Sequence, residues 1–490
     1  MIYPDKKTFS ELASRGNVVP VYREILADLD TPVSAFMRLH EPPCFLLESV
    51  EGGEKWARYS FLGLNPAKVI VGRGGSVEIS DDSGTSFTET DDPIGLLREL
   101  MQGYEPVETD DLPRFFGGMV GYIGYEMVRF IEDIPSDNPD PLDLPDIFMM
   151  IPATVLVFDN LRQTIKVVCN VHLEGKDSGV EYDRALEMID RVIKKLRAPS
   201  NGTYEPGPGN DAEFKSCFGP QREFEDAVRR AKEYILSGDV FQLVISQRFE
   251  RESTVRPFDI YRALRVINPS PYMYFIDIGE AQIAGSSPEI LVLVEGDKIT
   301  LRPIAGTRPR GATEEEDNEL WEELKADPKE CAEHIMLVDL GRNDVGRVAE
   351  TGSVKLTEMM IPERYSHVMH MVSNVEGKLK DGLDSFDVLK ACFPAGTVTG
   401  APKIRAMEII EELEPSRRGP YAGAIGYFGY FGNMNTCITI RTIIIKDGIV
   451  SVQAGAGIVA DSVPELEYQE TLNKARGMIK ALEMAEKGLE

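Results

Sequence analysis

"TCITIRTIIIKDGIVSVQAGAGIV", residues 436–459, holds two apolar runs rich in β-branched side chains, separated only by Lys446, Asp447 and Gly448. A connection this short joins antiparallel strands, because parallel neighbours need a crossover of a dozen residues or more. "EILVLVEGDKITLRPI" (289–304) repeats the pattern, with its turn at "EGDK". This part of the chain is therefore α+β and not a doubly wound parallel sheet. Alternation along 436–459 puts Arg441 on the face of Cys437 and Thr439. If "KDG" is the loop, Arg441 lies opposite Gln453, with Gly455 and Gly457 farther along that face. Glycines beside an arginine mark either a bulge or corner, or space left over a sheet for a ligand.

Upstream, "QREFEDAVRRAKEYILSGDV" (221–240) spaces Phe224, Val228, Ala231 and Ile235 as one face of a helix, with Gly238 placed to end it. "APSNGTYEPGPGND" (198–211) has the composition of a linker. Before it come short alternating runs, "ATVLVFDN" (153–160) and "TIKVVCNVHL" (164–173), then an amphipathic stretch from Val180 to Leu196. The expected organisation is an N-terminal domain over 1–200, a linker over 201–215 and a second domain over 216–490.

Acidic residues outnumber basic ones 81 to 53, a formal charge of -28, which argues against nucleic acid or an anionic membrane as partner. The six cysteines show no CxxC or CxC spacing and read as free thiols of a reducing compartment. No apolar run approaches the roughly 18 residues of a membrane span. A cytoplasmic, soluble protein is the expectation.

Two helix starts carry paired carboxylates. "DPKECAEHIMLVDLGRND" (327–344) offers Asp327 as cap, Pro328 as first helical residue, and Glu330 and Glu333 on one face. "DSVPELEYQETLNKARGM" (461–478) offers Ser462 as cap and the pair Glu467 and Glu470. Such pairs either complement the helix dipole in solvent or face a cavity and hold a hard cation, for which Mg²⁺ is the natural choice. His334 is out of step for a Glu-x-x-His iron site. "GTVTGAPKIRAMEII" (396–410) leads a glycine-rich loop into a helix where Lys403 could receive an anion. "LRPIAGTRPRG" (301–311) gathers three arginines, expected mainly to order the acidic segment "TEEEDNELWEE". His370 alternates with Val368 and Val372 on a presumed strand, opposite in parity to His367, and is either a core histidine or a functional one.

"FLLES" (45–49), "NPSPYMYF" (268–275), "GSSPE" (285–289), "PIAGTRPRG" (303–311), "ECAEHIMLVDLGRNDVGRV" (330–348), "YSHVMHMVSNVEG" (365–377), "FPAGTVTGAPKIRAMEII" (393–410) and "QAGAGIVADSVPELEYQET" (453–471) together resemble the chorismate-utilising enzymes, and within them the anthranilate synthase large subunits. The resemblance implies antiparallel sheets packed as a sandwich with helices outside, a regulatory N-terminal part and a catalytic C-terminal part. It implies conversion of chorismate and ammonia to anthranilate and pyruvate, the first committed step of tryptophan biosynthesis, with Mg²⁺ as cofactor. Carried residue by residue, Glu333 and Glu470 would be the principal metal carboxylates, with Glu330 and Glu467 holding metal-bound water. Gly306, Thr307, Tyr421, Arg441, Gly455 and Gly457 would line the substrate carboxylates. Glu289 would be the general acid and His370 would assist loss of pyruvate, with Thr307 beside them.

Two positions separate this chain from the other branches of the family. Water-adding relatives, the isochorismate and salicylate synthases, carry a lysine base where this chain has Gln242. Aminodeoxychorismate synthases typically carry a nucleophilic lysine where it has Ala305. Ser49, Asn268, Pro271, Tyr272 and Met273 would form a tryptophan feedback site between the two domains. No cysteine lies in a G-x-C-x-G context, so use of glutamine would require a separate glutamine amidotransferase small subunit, in a heterotetramer.

Overall fold

A computed structural model describes residues 2–49, 58–199, 212–365 and 368–489. Most of the expected linker, and His367, lie outside the described residues. Two long strands, Tyr59–Arg73 and Ile147–Asp159, run antiparallel from Tyr59↔Asp159 to Gly72↔Ile147, with a register shift between Pro66 and Lys68. They belong to two layers at once. One end of the pair carries Cys44–Glu48 and Thr164–His172, and the other carries Ser76–Asp81 and Gly118–Ile123.

From Cys44–Glu48 the first layer continues through Tyr272–Asp277, Gln282–Ser287, Thr442–Lys446 and Ile449–Ile458 to Gln242–Glu252. From Gly118–Ile123 the second continues through Ala424–Gly429, Met434–Ile438, Ile290–Glu295 and Lys298–Leu301 to Val368–Lys378. Phe45, Tyr274, Ile283 and Ile444 of the first layer meet Tyr122, Phe148, Ile425 and Cys437 of the second in a closed apolar core. Helices cover the outer faces. Ser178–Leu196, Pro257–Ile267 and Pro464–Glu486 bury their apolar stripes on the first layer, and Pro328–Val348 and Ser385–Cys392 on the second. This is the expected α+β sandwich with helices outside. The ladders Met273↔Glu48 and Gly426↔Gly121 join strands from before and after residues 200–211 in both layers.

The stretch 436–459 is more than a hairpin. Met434–Ile438 lies in the second layer and Thr442–Lys446 in the first, so the chain changes layers at 439–441, where Arg441 takes φ 51°. The hairpin turn is Asp447–Gly448, both at positive φ, a two-residue connection and not the three-residue "KDG" loop. Lys446 therefore pairs with Ile449, and continuing the Ile443↔Val452 register brings Gln453 level with Thr442. Arg441 is one residue off the expected position and stands at the corner between layers.

Candidate active site

Strand Ile449–Ile458 supplies a floor. It lies against Gln242–Glu252 with Gly455↔Ser246 and Gly457↔Val244. A methyl group on Gly455 would stand 2.9 Å from the Tyr421 hydroxyl, and one on Gly457 would stand 2.7 Å from Nε2 of Gln242. The glycines thus keep clear the space that Tyr421 and Gln242 border. Arg441, at its left-handed corner, donates to the backbone oxygen of Lys474 at 3.2 Å. Burial lowers its pKa, while the negative charges of Glu289 and Glu470 act the other way. A non-glycine residue at positive φ costs free energy and tends to mark functional sites.

Glu289 follows the strand Gln282–Ser287 on the turn "SPE". Its Oε2 accepts from the Thr397 hydroxyl at 3.0 Å. Burial raises its pKa, against the opposing effects of the Thr397 bond and the charges of Lys474 and Arg441. A carboxyl group so placed keeps its proton to higher pH than an exposed glutamate and can deliver it.

His370 sits on Val368–Lys378, paired with Thr307. Its Nδ1 lies 3.2 Å from the Gly306 carbonyl and 3.1 Å from Oγ1 of Thr307. A carbonyl can only accept, so Nδ1 carries the proton and Nε2 keeps its lone pair. Burial lowers the histidine pKa, the Gly306 bond opposes that, and the charge of Arg441 adds to it. Gly306 forms the bulge between Ala305↔Met371 and Thr307↔His370, at φ 68°. A side chain there would meet Leu324 at 2.8 Å and Oε2 of Glu330 at 3.2 Å, so glycine is required both by conformation and by space.

The carboxylate pairs border the same floor. Asp327 caps helix Pro328–Val348 by accepting from the Lys329 and Glu330 N–H groups. On the other helix, Val463 and not Ser462 occupies the cap position, and the Ser462 hydroxyl accepts instead from the Val459 N–H. Gln242 donates through Nε2 to Glu333 at 3.3 Å, and Lys474 binds both Glu470 at 2.7 Å and the Gly455 carbonyl at 2.9 Å. Burial and the neighbouring charge of Glu333 raise the pKa of Glu330. Burial raises that of Glu467 too, with Glu470 adding and Ser462 opposing. Among the described residues no three His, Cys, Asp or Glu side chains already stand close enough to hold a metal ion. The donor set still fits a hard cation, because these are oxygen ligands in like-charged, part-buried pairs whose charge repulsion a divalent ion would relieve.

Lys403 is engaged elsewhere. Its ammonium group lies 2.8 Å from the buried carboxylate of Asp344, which commits it to an ion pair within the protein. Of the three arginines, Arg310 grips Asp317 and Arg308 reaches Glu323, both on the acidic helix Glu314–Ala326, whereas Arg302 turns to Glu358 and Glu363. Ser49 lines a cavity of about 380 Å³ with Asp30, Glu48, Ser60, Asn160 and Arg265. Met273 pairs with Glu48 beside it. Asn268 bonds to Ser286 at 3.0 Å, and Pro271 and Tyr272 line a different, smaller space with Arg302 and Tyr365.

Residues 42–480 match the model of a family described as chorismate binding enzymes. The chain belongs to that family. It is 50% identical over 486 residues to anthranilate synthase component 1 of Aquifex aeolicus, covering 98% of each chain, and 49% identical over 488 residues to that of Pseudomonas putida, covering 98% of this chain and 99% of the relative. The crystal structure of anthranilate synthase component I from Streptococcus pneumoniae superposes with a TM-score of 0.79 at 41% identity, over 93% of this chain and 98% of that one. The menaquinone-specific isochorismate synthase of Escherichia coli shares the fold at 18% identity, with a TM-score of 0.71.

As a chorismate-utilising enzyme, the chain brings Glu289, His370, Arg441 and the glycine floor to one side of the sandwich. Thr397 and Lys474 were not singled out from sequence. Lys474 carried a local signal, since it stands four residues after Glu470 on one helix face. Thr397 carried none, since its partner is 108 residues away. Among the described residues no helix is long and apolar enough to cross a membrane.

Proposed function

We propose that this enzyme makes anthranilate and pyruvate from chorismate and ammonia. The observation that carries the reading is Glu289, a part-buried carboxyl group of raised pKa oriented by Thr397 near Arg441. Hydroxide is a poor leaving group, and its departure from C4 of chorismate as ammonia adds at C2 needs a proton, which Glu289 supplies. Arg441, Tyr421 and the backbone at Gly306, Gly455 and Gly457 bind and orient the substrate carboxylates, with Thr307 alongside. His370, neutral and with its Nε2 lone pair free, assists elimination of pyruvate, which aromatisation of the ring drives. Mg²⁺ held by Glu333 and Glu470, with Glu330 and Glu467 in support, would draw negative charge from the ring carboxylate.

Gln242 and Ala305 favour this product over the two competing ones. The Gln242 carboxamide is neutral and donates to Glu333, so it is no base for activating water. Ala305 offers no amine. The relatives' designation as component 1 supports a partner component, here a glutamine amidotransferase subunit that delivers ammonia in a heterotetramer. The Ser49 cavity, beside which Met273 pairs with Glu48, is where this reading puts tryptophan as inhibitor. Incubating the chain with chorismate, ammonium and Mg²⁺ should produce the fluorescence of anthranilate. Isochorismate or aminodeoxychorismate as end product would overturn the assignment.

A further inference from the structure

Among the described residues, Arg418 is the one charged residue among the largest fully enclosed side chains, at 1% exposure, and its hydrogen bonds and ion pair go to none of the positions assigned to metal. Its guanidinium makes four hydrogen bonds. Nε and Nη2 bind both oxygens of the equally buried Glu414, at 2.9 and 2.6 Å. Nη1 donates to the carbonyl of Val398 at 2.7 Å, and Nη2 to that of Val244 at 2.8 Å. The plane lies over the Tyr125 ring at 4.8 Å and near Tyr421 at 5.7 Å. Glu414 in turn accepts from the N–H and hydroxyl of Ser246, at 2.7 and 2.9 Å.

The contacts to Val398, Val244 and Tyr421, and through Glu414 to Ser246, are each one step from the chemistry. Val398 follows Thr397, whose hydroxyl orients Glu289. Val244 and Ser246 are the residues paired with Gly457 and Gly455 on the floor. Tyr421 borders that floor. A buried ion pair of this kind is a poor source of stability, since its desolvation cost commonly cancels its attraction and apolar replacements are often neutral. What a guanidinium provides is a rigid plane with donors in fixed directions, which can hold two carbonyls at a set separation.

We infer that Arg418 is a positioning residue for the proton donor, holding the Thr397 loop, the glycine-floor strand pair and Tyr421 in one frame so that Glu289 meets substrate in register. This rests on the reading of Glu289 as general acid. A misplacement near 1 Å of a reacting group costs roughly 100-fold in rate, so a frame of this kind has leverage.

The experiment compares Arg418→Lys, Thr397→Val, the two combined, and Glu289→Gln, each checked for folding by circular dichroism and thermal melting. The lysine keeps the charge and loses the planar fork. In Arg418→Lys, kcat with ammonium should fall about 10- to 100-fold. The alkaline limb of its kcat–pH profile should move to higher pH, as in Thr397→Val, because the loosened loop no longer stabilises the Glu289 carboxylate. The combined variant should lose little more than the worse single one. Should the lysine variant misfold, Arg418→Met/Glu414→Met, which removes both charges at similar volume, carries the same comparison. A folded variant with unchanged kcat and pH profile, or losses that multiply in full with Thr397→Val, would overturn the positioning role. Full activity in Glu289→Gln would instead overturn the acid reading beneath it.

Discussion

Thr397 donates its hydroxyl to Oε2 of Glu289 at 3.0 Å, tying the loop before helix Lys403–Leu413 to the turn that carries the candidate acid. The bond stabilises the carboxylate and so works against the burial that raises its pKa. An acid acts while protonated, so activity persists below the Glu289 pKa and declines as pH rises through it. Removing the hydroxyl in Thr397→Val raises that pKa further, and the alkaline decline of kcat should move to higher pH. Glu289→Gln should cost about 10²- to 10⁴-fold in kcat. An unmoved limb in folded Thr397→Val would show that the hydroxyl does not set the acid.

The paired carboxylates predict a metal requirement that can be read both with and without turnover. Chelation should abolish activity and added Mg²⁺ restore it, while Glu333→Gln and Glu470→Gln should each need far more Mg²⁺. Burial and their neighbours raise the pKa of both Glu330 and Glu467, so a bound cation would expel protons from them. Adding Mg²⁺ to the weakly buffered protein at mildly acidic pH should therefore acidify the solution. A silent titration in the wild type would remove this metal site.

The glycine floor should resist even a methyl group. In Gly455→Ala the new carbon meets the Tyr421 hydroxyl and Val244 side chain, both at 2.9 Å, and the Ile245 carbonyl at 3.2 Å. Overpacking of this kind costs about 1–3 kcal/mol, measurable by urea unfolding, and should raise the KM for chorismate. Gly457→Ala meets the movable end of Gln242 at 2.7 Å, so it should raise KM with a smaller loss of stability. Equal KM values in both variants and the wild type would place the substrate elsewhere.

What the sequence could reveal followed its local signals. Short turns such as "EGDK" specify antiparallel neighbours because of their length, and Asp327 reads as a cap from the proline that follows it. The corner at Arg441 was not legible, since a run rich in β-branched residues does not show where a chain leaves one sheet for another. Its register then slipped by one residue, because "DG" suffices as a turn with both residues at positive φ. Side-chain commitments over long separations were hidden as well. Lys403 looks like an anion holder until Asp344, 59 residues earlier, is found to occupy it. Sequence position alone gives no access to such pairings, which arise only when distant parts of the chain come together.

Ser49 stands next to Glu48, whose carboxylate accepts from the Tyr261 hydroxyl at 2.6 Å and Arg265 at 3.0 Å. Glu48 pairs with Met273, and Met273 pairs with Ser286, three residues before Glu289. The cavity is therefore joined to the acid by two strand ladders. Ser49→Phe would fill part of that space, so tryptophan inhibition should be relieved while the ammonia-dependent rate stays nearly intact. Inhibition curves measured with and without the substitution decide this, and unchanged inhibition would exclude the site.

His334, fully buried on helix Pro328–Val348, bonds through Nε2 to Ser373 at 2.6 Å, while its Nδ1 is without a hydrogen-bond partner. Burial lowers its pKa to about 4. The unfolded chain takes up a proton there near the ordinary value of 6.5 and the folded chain does not. Its contribution to stability is thus complete above pH 6.5 and is lost as pH falls toward about 4. At that limit the loss is of order 2–3 kcal/mol. Urea unfolding at pH 7 and near pH 4.5 should show wild type losing more stability than His334→Gln, which cannot titrate. Equal losses in the two proteins would mean that His334 is protonated in the fold, with Nδ1 finding a partner on the acidic side.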